Sequence, residues 1–273
     1  MRLIIKKTIN AVVIGAAIIA AGTLPSRAGV PLTNLEGVGG IAFNPLAYTA
    51  GTPVEGLPVN KPQFGGWYVR LGDVKVDWTS IGAAETVFKR LEVSGGYETI
   101  AQNKQNIIHK NNYGAKLNVL DENAGGTNYV PAISVGAIYK HTDAAATNAV
   151  GADYYGVATK LIKELPRPVL VSAGALSTKA HTTGVFGFDK DRKTTFFGNI
   201  DVLPVSVVAL GFEYKQGAEF SDFKNASYWD AHAAWFYDPH LTLVAAYVNA
   251  GDEKSTTKVG LGKGVVLSAQ YAF

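Results

Sequence analysis

The sequence predicts an all-β fold, an antiparallel transmembrane β-barrel of about twelve strands that follows a secretory leader. Three observations predict it. Apolar and polar residues alternate with a period of two along most of the chain, short turns alternate with long polar loops, and aromatic residues gather near the predicted strand ends. Charged residues make up only 17% of the chain, fewer than in an average soluble domain, while 47% of the residues are hydrophobic.

The leader is the predicted signal peptide, residues 1–28. A basic start precedes an apolar run over 11–22, and Ser26 and Ala28 place small residues at both positions that signal peptidase reads. The run has about 12 residues, whereas a transmembrane helix needs about 20. We therefore expect cleavage near Ala28, which leaves residues 29–273 as the mature barrel chain.

The formal charge of +3 belongs to this leader. Its four basic residues are balanced by no acidic residue, which leaves 21 basic and 22 acidic residues in the mature chain. The charge therefore gives no support for binding nucleic acid. The absence of cysteine excludes disulfides, iron–sulfur clusters and thiol nucleophiles, and the five histidines show no metal-ligand spacing. We expect neither a metal nor another cofactor.

Segments of period two predict the strands, and most of them have the roughly 9–11 residues with which a tilted strand crosses a bilayer. The connections between them alternate in length, as periplasmic turns and extracellular loops do in outer-membrane barrels. Long loops are predicted over 102–111, 142–151, 179–193, 216–225 and 250–262. The predicted strands are 66–71, 74–87, 90–101, 112–121, 130–141, 152–164, 168–178, 194–202, 205–215, 226–236, 241–249 and 263–273.

The start of the mature chain has two interpretations. Gly37 to Tyr48 could form the first strand, in which case 49–65 is an outer loop and 66–71 only extends it. Alternatively, residues 29–63 form a plug segment in the lumen or the periplasm before the barrel begins. We favour the first interpretation slightly because 66–71 is too short to span a bilayer alone.

Aromatic side chains at the predicted strand ends indicate the two girdles of a membrane barrel. The outer girdle would contain Tyr139, Tyr154, Tyr155, Phe196, Tyr214, Tyr228, Trp229 and Tyr247. The inner girdle would contain Trp235, Phe236, Tyr237, Tyr271 and Phe273.

Alternation also predicts which residues face the lumen. A Lys or Arg side chain in contact with lipid at the bilayer midplane costs about 2–4 kcal/mol, so the polar face of each strand must point inward. Charged side chains that line a pore select solutes by sign and size. The predicted pore-lining residues are Glu92, Glu98, Lys116, Asn118, Lys140, Lys160, Asp201, Glu213, Asp230 and His232.

The C-terminal residues carry the first resemblance. Leu267, Tyr271 and the terminal Phe273 alternate with less apolar residues, and this pattern resembles the signal that the barrel-assembly machinery reads in outer-membrane proteins. The segments LEGVGGIAF (35–43) and LTLVAAYVNAGD (241–252) resemble, more narrowly, a proteobacterial family of unknown function. The resemblance implies a Gram-negative outer-membrane location and brings no activity and no catalytic residue.

These observations favour a channel for passive diffusion of a small solute, formed by a monomer whose partners are membrane lipid and the barrel-assembly machinery. A closed structural barrel that binds another envelope component is the first alternative. The second is a barrel hydrolase, because Asp230 and His232 share a face and a carboxylate can orient an imidazole base. The spacing alone is a weak signal, and we expect a lumenal ion pair there rather than catalysis.

Overall fold

A computed structural model describes residues 32–143 and 147–273, and these contain a closed antiparallel barrel of twelve strands. The predicted fold class is therefore confirmed, while the predicted signal peptide lies outside the described residues. The strands are β1 Gln63–Leu71, β2 Val76–Val87, β3 Leu91–Gln102, β4 Gln105–Leu120, β5 Ala132–Thr142, β6 Val150–Ile162, β7 Val169–Ala180, β8 Phe188–Val205, β9 Val208–Lys215, β10 Tyr228–Phe236, β11 Leu241–Asn249 and β12 Lys263–Ala272.

Each strand pairs with its neighbours in sequence, and β1 closes the barrel by pairing with β12. Gln63 lies opposite Ala272 and Leu71 lies opposite Gly264 across this seam. The even strand number places the start of β1 and the end of β12 at the same end of the barrel. We call this end the proximal rim and the opposite end the distal rim.

The outward face of the wall is apolar, as a lipid-facing surface must be. Ile81 is 65% exposed, Phe196 62% and Leu267 54%, while Ser80 and Asp201, which have the opposite parity on β2 and β8, are buried on the inner face. Most of the predicted girdle residues are exposed, including Tyr154 and Tyr271. Such a surface belongs in a lipid bilayer, and the closed antiparallel barrel is the form that Gram-negative outer-membrane proteins take.

The girdle prediction is wrong at some positions. Tyr155 is only 5% exposed and packs among inward-facing apolar residues of the lumen. Tyr228 and Phe236 also have inward parity, since they alternate with the outward-facing residues of β10, and Phe236 packs against the apolar core. Aromatic residues near strand ends therefore do not all face lipid.

The strands extend further than predicted at the distal rim. The predicted loop 102–111 is wrong: Asn103 and Lys104, both with positive φ, form a tight turn, and β4 begins at Gln105. Similarly, β8 begins at Phe188 inside the predicted loop 179–193. Polar sequence predicted irregular loops there because polarity reports contact with water. It does not report whether the backbone pairs with a neighbouring strand.

Gly37 to Tyr48 does not form the first strand, so the favoured interpretation of this segment is wrong. The first strand is β1, nine residues long because it begins at Gln63 rather than at residue 66. Residues 32–50, here called the lumenal segment, lie inside the barrel, and residues 51–62 lead from it to β1. Within the described residues the only helical turns are two short 3-10 segments, and no helix there is long and apolar enough to cross a membrane.

Candidate functional site

The lumenal segment fills the barrel where an open channel would be. Its apolar side chains, among them Leu32, Val38, Ile41 and Leu46, are at most 2% exposed and form the core together with inward-facing wall residues. The segment folds with few regular backbone pairs, mainly isolated bridges from Thr33 to Gly39 and from Gly40 to Pro45. It is therefore an irregular chain held in place by the wall.

The contacts of the segment trace two turns toward the distal rim. Near its start Thr33 contacts Trp67 and Gln270, and the chain then rises until Glu36 meets lysines in the distal part of the wall. It descends to Gly39, rises again to Phe43, and returns to Ala50 at the proximal rim. Both ends of the segment are thus on the proximal side.

Glycines let the segment approach the wall at its first turn. Gly37 has a φ of 87°, and a side chain on it would meet the carbonyl oxygen of Gly95 at 2.4 Å. On the wall, a Cβ at Gly96 would come within 2.6 Å of the carbonyl oxygen of Glu36. Backbone packs directly on backbone here, which no larger residue would permit.

Glu92 and Lys116 hold the segment near the proximal rim. Both side chains are buried, and the Lys116 ammonium lies 2.8 Å from the Glu92 carboxylate. The two oxygens of this carboxylate accept hydrogen bonds from the backbone N–H of Gly39 at 2.9 Å and of Ala50 at 2.8 Å. Lys116 donates to the carbonyl oxygens of Gly39 and Tyr48 at 2.8 Å each. The ion pair therefore binds the segment at several backbone atoms.

Glu36 occupies a second charged cluster, closer to the distal rim. Its carboxylate lies 2.9 Å from the Lys110 ammonium and 2.5 Å from the Lys140 ammonium, and these lysines also contact Glu98 and Asp153. Burial raises the pKa of the Glu36 carboxyl, but the two ammonium groups outweigh this effect and hold that pKa well below its usual range. The segment thus supplies a counter-ion that remains charged.

Glu213 holds the second turn of the segment. Its carboxylate accepts hydrogen bonds from the backbone N–H groups of Ala42 at 3.1 Å and Phe43 at 2.8 Å. The side-chain amide of Asn44 then donates to the carbonyl oxygens of Gly198 and Tyr214, each at 3.2 Å. Polar wall groups therefore satisfy backbone groups that the irregular segment leaves without regular partners.

Asp230 and His232 share the lumenal face, as the sequence predicted, and Asp201 joins them. The Nδ1 atom of His232 lies 2.7 Å from Asp230, and its Nε2 atom lies 2.8 Å from Asp201. Gly211 leaves room for this bridge, because a Cβ there would lie 2.4 Å from Nε2 of His232. With a carboxylate on each nitrogen, the ring is arranged to donate twice and has no nitrogen left to accept a proton from a substrate.

Replacing His232 with Gln should lower the free energy of unfolding by about 3–5 kcal/mol, because Asp201 and Asp230 would lose their shared donor in a buried site. Urea unfolding in lipid vesicles measures this change. His141, which is exposed on β5, provides the matched control in His141→Gln. Equal stability of the two variants would contradict a structural role for the bridge.

The structure places the other predicted residues as follows. Nine of the ten predicted pore-lining residues are buried with inward parity. Eight of them contact the lumenal segment or one another, and the ninth, Glu98, contacts Trp78, Lys110 and Asn112 of the wall. Lys160 is the exception and corrects the prediction: it has the opposite parity to the buried Thr159, and its ammonium lies 3.3 Å from Glu122 at the proximal rim. Leu267, Tyr271 and Phe273 are exposed on the outer face.

Three members of the network are not predicted from the sequence. Lys110 falls in the predicted loop 102–111, which has no assigned parity. Asp153 shares a face with Tyr155, which the sequence assigns to the outer girdle. Glu36 precedes the predicted first strand, so alternation gives no direction for its side chain. A strand boundary at Gln105 would have identified Lys110.

A cavity of about 80 Å³ lies on the distal side of the lumenal segment. Leu35 and Phe43, near the two turns of the segment, contribute to its lining, and the other lining residues come mainly from the distal parts of the strands and from the distal loops. The lining is largely apolar, and Lys215 is its only cationic residue. We call this space the distal cavity.

The fold is similar to that of solved outer-membrane porins. The KdgM porin matches with a TM-score of 0.53 at 10% identity over 77% of this chain and 99% of that chain. The NanC porin matches with a TM-score of 0.53 at 9% identity, over 78% and 99% of the two chains. Omp33 of Acinetobacter baumannii gives 0.45 at 11% identity, over 80% and 98%. At such low identity these matches concern the fold alone.

A comparison with curated proteins gives no match. The family model described as a protein of unknown function (DUF3034) matches residues 29–270 of the 273. This match agrees with the resemblance found in the sequence. The chain belongs to this family of unknown function.

Proposed function

We propose that this protein is an outer-membrane channel for the passive diffusion of a small solute, and that the lumenal segment closes it in the conformation described. The porin-like fold and the distal cavity support a channel. The observation that carries the proposal is that the wall closes without the segment, since each of the twelve strands pairs with two other strands. The segment can therefore leave the lumen while the barrel stays intact.

The segment is also connected in a way that suits a gate. Both of its ends are on the proximal side, where the connections β2–β3 and β8–β9 are short, as periplasmic turns are. Its polar contacts with the wall are hydrogen bonds and ion pairs, such as those of Glu92 with Gly39 and of Lys110 with Glu36, and water can replace each of them. Movement of the segment toward the periplasm would join the distal cavity to that compartment.

A disulfide across the closed gate tests the proposal, because the natural chain has no cysteine. The hydroxyl of Ser134 donates to the carbonyl oxygen of Ala47 at 2.5 Å, so these two positions are adjacent. We expect the refolded wild type to give discrete conductance steps in a planar bilayer. Oxidised Ala47→Cys/Ser134→Cys should be silent, and reduction should restore the steps. The two single-cysteine variants are the controls.

The closed structural barrel is the second candidate, and the buried ion pairs favour it. A folded wild type that never conducts, with or without the engineered disulfide, would support this candidate and contradict the channel. The hydrolase hypothesis finds less support. Carboxylates occupy both ring nitrogens of His232, so the histidine is poorly arranged to act as a general base.

A further inference from the structure

Lys215 is the unusual residue of the distal cavity. It ends β9, lines the cavity and is only 6% exposed. Among the residues that the structure describes, no carboxylate oxygen lies within 4.0 Å of its ammonium nitrogen, and this nitrogen forms no hydrogen bond. The ring of Tyr228 lies near this ammonium, with 5.9 Å between the nitrogen and the ring centroid. An unpaired buried ammonium is costly to a fold.

The acidic groups around Lys215 are already engaged. Glu36 contacts Lys110 and Lys140, and Asp153 lies 2.6 Å from the same Lys140. Glu213 accepts two backbone N–H groups of the lumenal segment. The three carboxylates of Glu36, Glu98 and Asp153 contact only two ammonium groups, those of Lys110 and Lys140. Lys215 balances the remaining negative charge at a distance, and its ammonium, which no carboxylate contacts directly, lines the cavity.

Two hydroxyl groups of the cavity lining also lack partners. The Oγ1 atoms of Thr183 and Thr195 are buried and form no hydrogen bond with any described residue. Together with Lys215 they provide three donors in one small space. A carboxylate has two oxygen atoms that accept such donors.

The remaining surface of the cavity indicates what such a carboxylate should be attached to. Leucine, valine and aromatic side chains dominate the lining, and hydrophobic burial favours an equally apolar ligand body. The apolar part of the lining includes Leu35, Phe43, Val69, Leu71, Trp78 and Leu176.

We propose that the distal cavity binds a small apolar monocarboxylate, with its carboxylate on the ammonium of Lys215 and its apolar body against Leu35 and Trp78. This inference rests on the proposed channel and names the class of solute that it passes. Asp153 also lines the cavity and its Oδ1 atom has no partner. Its other oxygen, Oδ2, lies 2.6 Å from Lys140, so this carboxylate already has a cation in contact.

The test is calorimetric titration of the protein, residues 29–273, in lipid nanodiscs, with propionate as the probe, because its size suits a cavity of about 80 Å³. We expect saturable binding of propionate that is at least tenfold weaker in Lys215→Met and retained in Lys215→Arg. Lys254→Met, in an exposed distal loop, is the matched control. Propanol and propylamine, which have similar apolar bodies without the negative charge, should bind at least tenfold more weakly than propionate.

Several results would overturn the inference: no propionate binding by the folded wild type, equal binding by Lys215→Met, or equal binding of propanol or propylamine. Heat-modifiable migration on a gel establishes that each variant is folded. Thr195→Val gives a second variant, and its propionate affinity should fall severalfold. Binding without any conductance would support the site and contradict the channel, whereas conductance without binding would do the reverse.

Discussion

Replacement of residues 34–48 by a glycine–serine chain of equal length should turn the barrel into a constantly open pore. Its single-channel conductance should exceed that of the wild type by about tenfold or more, because a twelve-stranded wall is wider than the eight-stranded barrels that side chains fill. The polar wall groups that bind the segment would then be solvated by water. Planar-bilayer recording of the refolded variant measures the change.

The control for this experiment replaces residues 253–257, in the distal loop between β11 and β12, with the same kind of chain. Its conductance should match that of the wild type, since these residues lie outside the lumen. A variant that lacks the segment, migrates as a folded barrel and still gives no current would show that another part of the chain closes the lumen.

The second large effect concerns the ion pair between Glu92 and Lys116. Glu92→Leu leaves a buried ammonium without its carboxylate and two backbone N–H groups without their acceptor, so it should lower the free energy of unfolding by about 3–5 kcal/mol. Lys116→Met should lower the free energy of unfolding by a similar amount, because it leaves the buried Glu92 carboxylate without its ammonium partner. The double variant should lose less than the sum of the two single losses, because it removes both charges.

Urea unfolding in vesicles provides these values. Glu85→Leu is the matched control, since Glu85 lies on the outward face of β2 and should change stability by no more than about 0.5 kcal/mol. Additive losses in the double variant would mean that the two side chains do not interact, and the binding of the lumenal segment would then have to depend on other contacts.

The wall could be predicted from the sequence because lipid imposes a simple rule on it. Residues that face lipid near the bilayer midplane must be apolar, so Glu92 and Lys116 had to point inward, and the strand boundaries at 241–249 agree with the structure. The rule fails near the ends of the strands. There β4 from Gln105 to Lys110 continues as a paired strand in which polar residues surround two adjacent isoleucines, so no alternation reveals it.

The lumenal segment could not be predicted by the same reasoning. Val38 and Ile41 stand among small residues, as apolar residues of a strand often do, but they pack in an irregular segment, where Val38 lies against Gly114 of the wall. The partners of Glu36 are separated from it by 74 residues or more in sequence. Alternation within one segment carries no information about such distant partners, so the site was predicted only on its wall side.

The position of Thr33 has a consequence for the assembly of the barrel. Its backbone carbonyl accepts a hydrogen bond from the indole of Trp67 on β1 at 2.8 Å, and its backbone N–H donates to Gln270 on β12 at 3.0 Å. One residue therefore bridges the two strands whose pairing closes the barrel. Thr33 precedes both strands in sequence and is exported before them. We therefore expect the lumenal segment to be inside the barrel when β1 pairs with β12, so that a newly assembled barrel does not leak solutes.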